Sequence, residues 1–362
     1  MTMKRITFAD IFAGIGGFRI GLERLGFECL YSCEKNEACR QVYFDNFGDL
    51  PEMDISDIDF SKIPDVNIIT AGFPCQPFSI CGKRKGFSDR RGTIFFHLCN
   101  LLQAKKPDVA ILENVKHLLH LEKGSVFEEI ITTLEDLDYF VRYSLLNAKD
   151  FGLPQNRERV FIVASKHKPF NFSRIKPKLK IPQLKEFLSK TGDFQYIDDS
   201  EYTLIKHPKQ QDSGLIFVGY RNKSIWKKGI RPHTEHLSRV HRQPNRIYSV
   251  EGVHPTLPSQ ESSGRFFIYL PEENRVRKLT IEECYRIMGF PKSFKRNASL
   301  SEAYKQIGNS VATNVIYELG KEIMEQKLTV PCSKFNNRAR GFKKSEKPIQ
   351  LTIPGLRLTH CN

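Results

Sequence analysis

No apolar run in this chain approaches the roughly 18 residues that a membrane-spanning helix requires, so no membrane partner is expected. Also missing is any C-x-x-C pair: the nine cysteines stand at positions 29, 33, 39, 75, 81, 99, 284, 332 and 361, an odd and irregular set. Such spacing argues against a disulfide framework and against a structural zinc site. No metal is expected, and the thiols are read as free in a reducing compartment. The opening Met1-Thr2-Met3-Lys4-Arg5-Ile6 has no apolar core or cleavage site behind its charges, which makes the cytoplasm the expected location. Internal repeats and low-complexity segments are absent as well. What is left is a globular chain whose 362 residues, 40% of them hydrophobic, have room for two domains.

Positive charge is present in excess, and its distribution is uneven. Residues 1–165 carry 20 basic and 23 acidic side chains, whereas residues 166–250 carry 18 and 7. Residues 251–330 are balanced at 11 against 10, and the tail from Pro331 to Asn362 holds 7 against 1. A polyanion docking on the middle segment accounts for this pattern more economically than a merely soluble basic surface.

One stretch, Gly72-Phe73-Pro74-Cys75-Gln76-Pro77-Phe78-Ser79, organises the first half of the chain. A cysteine between two prolines sits in a stiff turn, because each ring fixes its own φ and restricts the residue before it. The preceding Val66-Asn67-Ile68-Ile69-Thr70-Ala71 is apolar and β-branched, a buried strand that delivers Cys75 to the carboxyl edge of a sheet. Upstream, an alternating run from Arg5 to Phe12 enters Ala13-Gly14-Ile15-Gly16-Gly17, followed by a helical pattern. Strand, glycine turn and helix open a nucleotide-binding unit. The next strand, Phe27 to Cys33, ends at Glu34, placed to accept hydrogen bonds from two ribose hydroxyls. Asp54-Ile55 follows, where an acid can take an adenine amino group or be plain solvated surface. After Cys75 comes a loop, Ile80 to Thr93, with five basic residues among its glycines, read as a lid over a phosphate backbone. Strand Val109 to Leu112 ends at Glu113-Asn114-Val115, an acid again at the carboxyl edge. Pro154 to Val163 then brings Arg157 and Arg159 into another strand, with forks suited to carbonyl or phosphate oxygens.

From about Lys166 the alternation of strand and helix is lost, and prolines, lysines and short β-like runs predict a smaller, mostly β domain. Order returns at Thr280-Ile281-Glu282-Glu283, a capping box, with Gly289 and Pro291 closing that helix. A last amphipathic helix is predicted to start at Gly308-Asn309-Ser310 and to pack on the first domain. The tail beyond Pro331 is basic and poor in pattern.

Six blocks taken in order carry a resemblance: Phe8 to Gly17; Gly72 to Ser79; Glu113-Asn114-Val115; Gln155 to Val160; Arg246-Ile247-Tyr248-Ser249 with Pro255-Thr256-Leu257; and Gly308-Asn309-Ser310-Val311. Any one is weak, but together, from Phe8 to about Gln326, they make the chain similar to the bacterial DNA (cytosine-5)-methyltransferases of restriction–modification type. The resemblance implies an α/β fold: a Rossmann-like, mostly parallel S-adenosylmethionine-dependent methyltransferase sheet with a smaller, mostly β target-recognition domain. The expected segments are 1–185 for the first part of the catalytic domain, 186–278 for target recognition, 279–328 for the return to the catalytic domain and 329–362 for the tail. It also implies S-adenosylmethionine as cofactor, held by Phe12, Gly14, Gly16, Gly17, Glu34, Asp54, Ile55, Pro74, Asn309 and Ser310. Double-stranded DNA is the implied substrate of a monomer, with a cognate restriction endonuclease as a further expected partner. At one position this chain departs from the family's pattern: the residue after the ribose acid, often tryptophan, is Lys35.

For the chemistry, the resemblance implies that a Cys75 thiolate adds to cytosine C6, that Glu113 donates to N3, that Arg159 contacts O2, and that Arg157 supports the site. The target base must be flipped out of the duplex to reach Cys75. Three other readings compete. A nicotinamide dehydrogenase shares the glycine turn and acid but has no use for Cys75, Glu113 and two arginines. A tRNA cytosine-5 methyltransferase of the same fold shares the catalytic set, although its Cys-Phe-Thr insertion is absent here. A non-catalytic DNA-binding relative would require a broken site, and every matching catalytic position is present.

Overall fold

The computed structural model describes residues 5–74, 94–222, 245–259 and 266–329; Cys75, the basic loop 80–93 and the tail 331–362 lie outside the described residues. By compactness the chain divides into two units, one of Met1–Leu146, Glu158–Pro177 and Val315–Asn362, the other of Asn147–Arg157 and Lys178–Asn314. The segment 186–278, proposed for target recognition, falls inside the second unit.

In chain order the first part runs β1 (Thr7–Ile11), α1 (Gly17–Glu23), β2 (Glu28–Cys33), α2 (Glu37–Phe47), β3 (Ile68–Gly72), α3 (Ile94–Lys105), β4 (Val109–Val115), α4 (Ser125–Asp136), β5 (Phe140–Asn147), β6 (Gln155–Asn156) and β7 (Glu158–Ser165). The sheet of the first unit has the order β2-β1-β3-β4-β7-β5. β1 pairs in parallel with β2 and with β3, and β3 with β4, while β7 is antiparallel to β4. Ile68, Ile69 and the whole run Val109 to Leu112 are fully buried. These strands read as continuous apolar runs because helices cover both faces of such a sheet. Leu98, Leu101 and Leu102 of α3 and Ile130 and Leu134 of α4 belong to the same core. Because β1 lies between β2 and β3, the connections leaving β1 and β2 go to opposite sides, opening a crevice at the strands' carboxyl ends.

The second part continues with β8 (Tyr202–Gln210), β9 (Ile216–Arg221), β10 (Arg246–Ser249), β11 (His254–Pro255), β12 (Phe267–Leu270), β13 (Arg275–Lys278), α5 (Ile281–Ile287), α6 (Leu300–Asn309) and α7 (Thr313–Glu325). In the second unit a five-stranded sheet of order β13-β12-β10-β9-β8 carries one apolar cluster around Ile247 and Val276 and another around Phe217 and Tyr248. A two-stranded parallel pair joins β6 to β11. The capping box at Thr280 and Glu283 is present, and Gly289 takes a left-handed φ of 85° beyond α5.

The expectation for the last helix is corrected. Gly308 and Asn309 end α6, Ser310 is its extended C-cap, and α7 begins only at Thr313. Gly308 reads as the opening of a helix, but its role is close approach: a Cβ there would stand 2.2 Å from the Pro258 carbonyl oxygen. Within the first unit α7 packs back as expected, since a Cβ on Gly320 would meet the side chains of Leu22 and Leu25 at 2.7 and 2.8 Å. Among the described residues no helix is long and apolar enough to cross a membrane.

Candidate active site

The parallel register of β3 and β4 sets Gly72 opposite Glu113. The chain therefore leaves β3 towards Phe73, Pro74 and Cys75 at the same sheet edge where the Glu113 side chain emerges. Asn114 secures this exit: its Nδ2 donates to the Phe73 carbonyl oxygen at 2.9 Å, while its Oδ1 accepts from the Val115 amide at 2.8 Å.

β7 supplies the cation. Its antiparallel register puts Arg159 opposite Val115. From there the guanidinium Nε reaches Glu113 Oε1 at 3.1 Å, with both side chains largely buried, at 16% and 10% exposure. Burial pulls the Arg159 guanidinium below its ordinary value, and Glu113 beside it works in the opposite direction. An outer pair, Lys116 with Glu158 at 3.0 Å, links the loop after β4 to the start of β7.

Arg157 has a different setting, inside the second unit. It is 2% exposed, and its Nη2 donates to the carbonyl oxygens of Gly308 at 3.0 Å and Ser310 at 2.6 Å. Its backbone N–H donates to Asn147 Oδ1 at 3.0 Å. Arg157 thus braces the turn that carries the exposed Asn309 and the half-buried Ser310. The sequence placed both arginines entering one strand; in the structure Arg157 lies between β6 and β7, and Arg159 lies within β7.

The crevice beside β1 is shaped by backbone strain and one carboxylate. Phe12, Gly14 and Gly16 all have positive φ, at 57°, 55° and 85°. A Cβ on Gly16 would stand 2.3 Å from the Phe47 ring, so the turn also requires a bare position there. Gly17 opens α1 and is buried. Glu34 ties the turn to β2: Oε2 accepts from the Gly14 amide at 2.8 Å and Oε1 from the Asn36 amide at 2.7 Å. Next to it, the Glu34 amide donates to the Glu52 carbonyl oxygen at 2.8 Å, which brings the Asp54 loop alongside. Ile55 is buried at 2%, and Asp54 Oδ2 lies 2.6 Å from Lys35 Nζ.

Two polar residues had only a weak signal in the sequence. Asp10 is fully buried in β1, accepts from the Thr70 hydroxyl at 2.7 Å, and is pushed up to about 7 by burial, against the pull of Thr70 and Arg19. A charged side chain at an inward position of an apolar strand was the available clue. Asn114 had a place in a motif block but no assigned task, since the carbonyl it holds is 41 residues away.

Comparison with known proteins identifies the family. A family model described as C-5 cytosine-specific DNA methylase matches residues 6–325. The Type II methyltransferase M.HhaI of Haemophilus parahaemolyticus is 37% identical over 339 residues, covering 88% of this chain and 95% of that protein. M.HpaII of Haemophilus parainfluenzae is 40% identical over 336 residues, covering 89% and 90%. Among solved structures, the Entamoeba histolytica methyltransferase EhMeth superposes with a TM-score of 0.65 at 20% identity, over 90% of this chain and 99% of that one, which speaks to the fold. Methyltransferases of this kind use S-adenosylmethionine as methyl donor. By these matches the chain belongs to the C-5 cytosine-specific DNA methylase family and is a DNA (cytosine-5-)-methyltransferase of restriction–modification type.

Proposed function

We propose that this protein methylates C5 of a flipped-out cytosine within a specific double-stranded DNA sequence, through a covalent bond between Cys75 and C6, and so protects the DNA from a cognate endonuclease. The observation that carries the reading is the buried Glu113–Arg159 pair beside the anchored exit towards Cys75. Addition of the Cys75 thiolate to C6 moves electron density onto N3 and O2 of the pyrimidine. Glu113 protonates N3, and the Arg159 guanidinium turns to O2. A base then removes the C5 proton as the C6–S bond breaks and releases the Cys75 thiolate, and N3 returns its proton to Glu113, closing the cycle.

The crevice residues fit S-adenosylmethionine. Each Glu34 oxygen takes one backbone N–H and keeps a lone pair for a ribose hydroxyl, and at Gly14 a Cβ would meet nothing within 4 Å, so the turn faces open space. Phe12, Gly14, Gly16, Gly17, Glu34, Asp54, Ile55 and Pro74 would hold it. Once bound, it supplies the electrophilic methyl group that the activated C5 receives. Glu34→Ala should weaken cofactor binding by about 1–3 kcal/mol, the range for a charge-assisted hydrogen bond, with little change in DNA affinity measured without cofactor. Unchanged affinity by calorimetry would mean that the ribose contact lies elsewhere.

The basic middle segment, residues 166–250, is suited to holding the distorted duplex. Bisulfite sequencing of DNA from cells expressing the chain should reveal one sequence context in which a cytosine is protected from conversion, and none in cells expressing Cys75→Ala. Protection in tRNA but not in DNA would overturn the substrate assignment.

A further inference from the structure

Lys35 and Asp54 form a link across the mouth of the crevice. Lys35 follows Glu34 at the tip of β2, and its Nζ lies 2.6 Å from Asp54 Oδ2. Its side chain must therefore extend from the β2 tip to the loop that carries Ile55. Asp54 Oδ1 is engaged too, accepting from the Ser56 amide at 3.1 Å and capping the single turn Ile55–Asp57. The lysine end is open to water, at 77% exposure, but the carboxylate end is only 19% exposed.

From this we infer that Lys35 is a positioning residue for the cofactor's base, holding the Asp54 carboxylate as the acceptor for an exocyclic amino group. The inference rests on the cofactor reading given above.

An exposed lysine near an aspartate usually contributes little, because water screens the pair and ordering a long side chain costs entropy. Two features set this pair apart. Lys35 holds Asp54 Oδ2 and Ser56 holds Oδ1, so the plane of the carboxylate is set and Oδ2 keeps a lone pair for a ligand. A purine lying in the crevice would also remove water from the pair, strengthening the attraction when the ligand is present. The Lys35 hydrogen bond, followed by that of Ser56, holds the Asp54 carboxyl below its ordinary range, so the group is an ionised acceptor at neutral pH. An amino group of a 6-aminopurine is the complementary donor.

The test is calorimetric titration of S-adenosylmethionine into the full-length protein and the variants Lys35→Met, Lys35→Arg, Asp54→Ala, Glu34→Ala and the double change at Lys35 and Asp54. Lys35→Met should raise the Kd about threefold to tenfold, and Lys35→Arg should restore it to within about twofold. In turnover assays, the loss should fall on KM for the cofactor far more than on kcat. Once Asp54 is alanine, adding Lys35→Met should have no further effect, because the lysine acts only through that carboxylate. Wild-type affinity in Lys35→Met, or losses from Lys35→Met and Asp54→Ala that simply multiply, would overturn the assignment. Glu34→Ala separates the two levels. If Glu34→Ala and Asp54→Ala both bind normally, the cofactor reading itself fails; if both are weakened while Lys35→Met is not, only the role of Lys35 falls.

Discussion

Duplex DNA carrying 5-fluorocytosine at the target position should become bonded to the protein in the presence of S-adenosylmethionine, giving an adduct that survives denaturing electrophoresis. Attack at C6 and methylation at C5 proceed, but fluorine cannot leave as a cation, so the Cys75–C6 bond is not released. Glu113→Gln should form the adduct on the order of a hundredfold or more slowly, since an amide can hydrogen-bond N3 but cannot give it a proton. The large effect is expected because Glu113 is 8% exposed and faces Arg159, leaving little room for bulk water to act as the acid. Cys75→Ala should give no adduct. Peptide mapping checks the nucleophile against its neighbours in sequence. Cys99 is a poor candidate, since it is 1% exposed and burial pushes its thiol up to about 12. An adduct at Cys81 or Cys99 would show that Cys75 is the wrong thiol, and normal turnover with no adduct would refute the covalent route.

The largest stability effect is expected in the second unit, at Glu283. Arg277 and Glu283 are buried at 2% and 0% and form two parallel hydrogen bonds, both 2.8 Å. The same carboxylate accepts from the amides of Thr280 and Ser189, each at 2.9 Å, so it joins β13, the start of α5 and the segment before Tyr196. The guanidinium also lies 4.2 Å from the centre of the Phe194 ring. Glu283→Ala would leave Arg277 buried without its counter-charge and remove an acceptor from two backbone donors. Such losses cost about 3–5 kcal/mol. Replacing both partners by apolar residues, as in Arg277→Met with Glu283→Leu, should recover much of that loss, because desolvation of two charges is no longer required. Urea denaturation followed by circular dichroism measures the difference. A shift below about 1 kcal/mol for Glu283→Ala would mean that water reaches the pair and that the capping role dominates.

The same pair illustrates how far local pattern reaches. Thr280 and Glu283 were readable as a capping box because those residues are three apart on one turn. That Glu283 also pairs with a buried arginine was not readable, since Arg277 precedes the helix on a strand and lies over the Phe194 ring. The helix that seemed to open at Gly308 failed for a related reason. Glycine signals either a turn or a close approach, and only the position of Pro258 distinguished them.

What the sequence determined by itself is what chemistry between near neighbours dictates. Apolar β-branched runs became β3 and β4, and glycines supplied the positive φ of the turn after β1, while six ordered blocks identified the family. Tertiary structure alone decided which side chains meet. Glu113 and Arg159 are brought together by the antiparallel register of β4 and β7; Asn114 finds its carbonyl at the end of β3; Arg157 reaches the Gly308–Ser310 turn; and Lys35 reaches Asp54 across the crevice. The reason is physical. Periodicity, turn propensity and capping act over a few residues, whereas an ion pair between residues 46 positions apart depends on strand order and register, which the whole core sets at once.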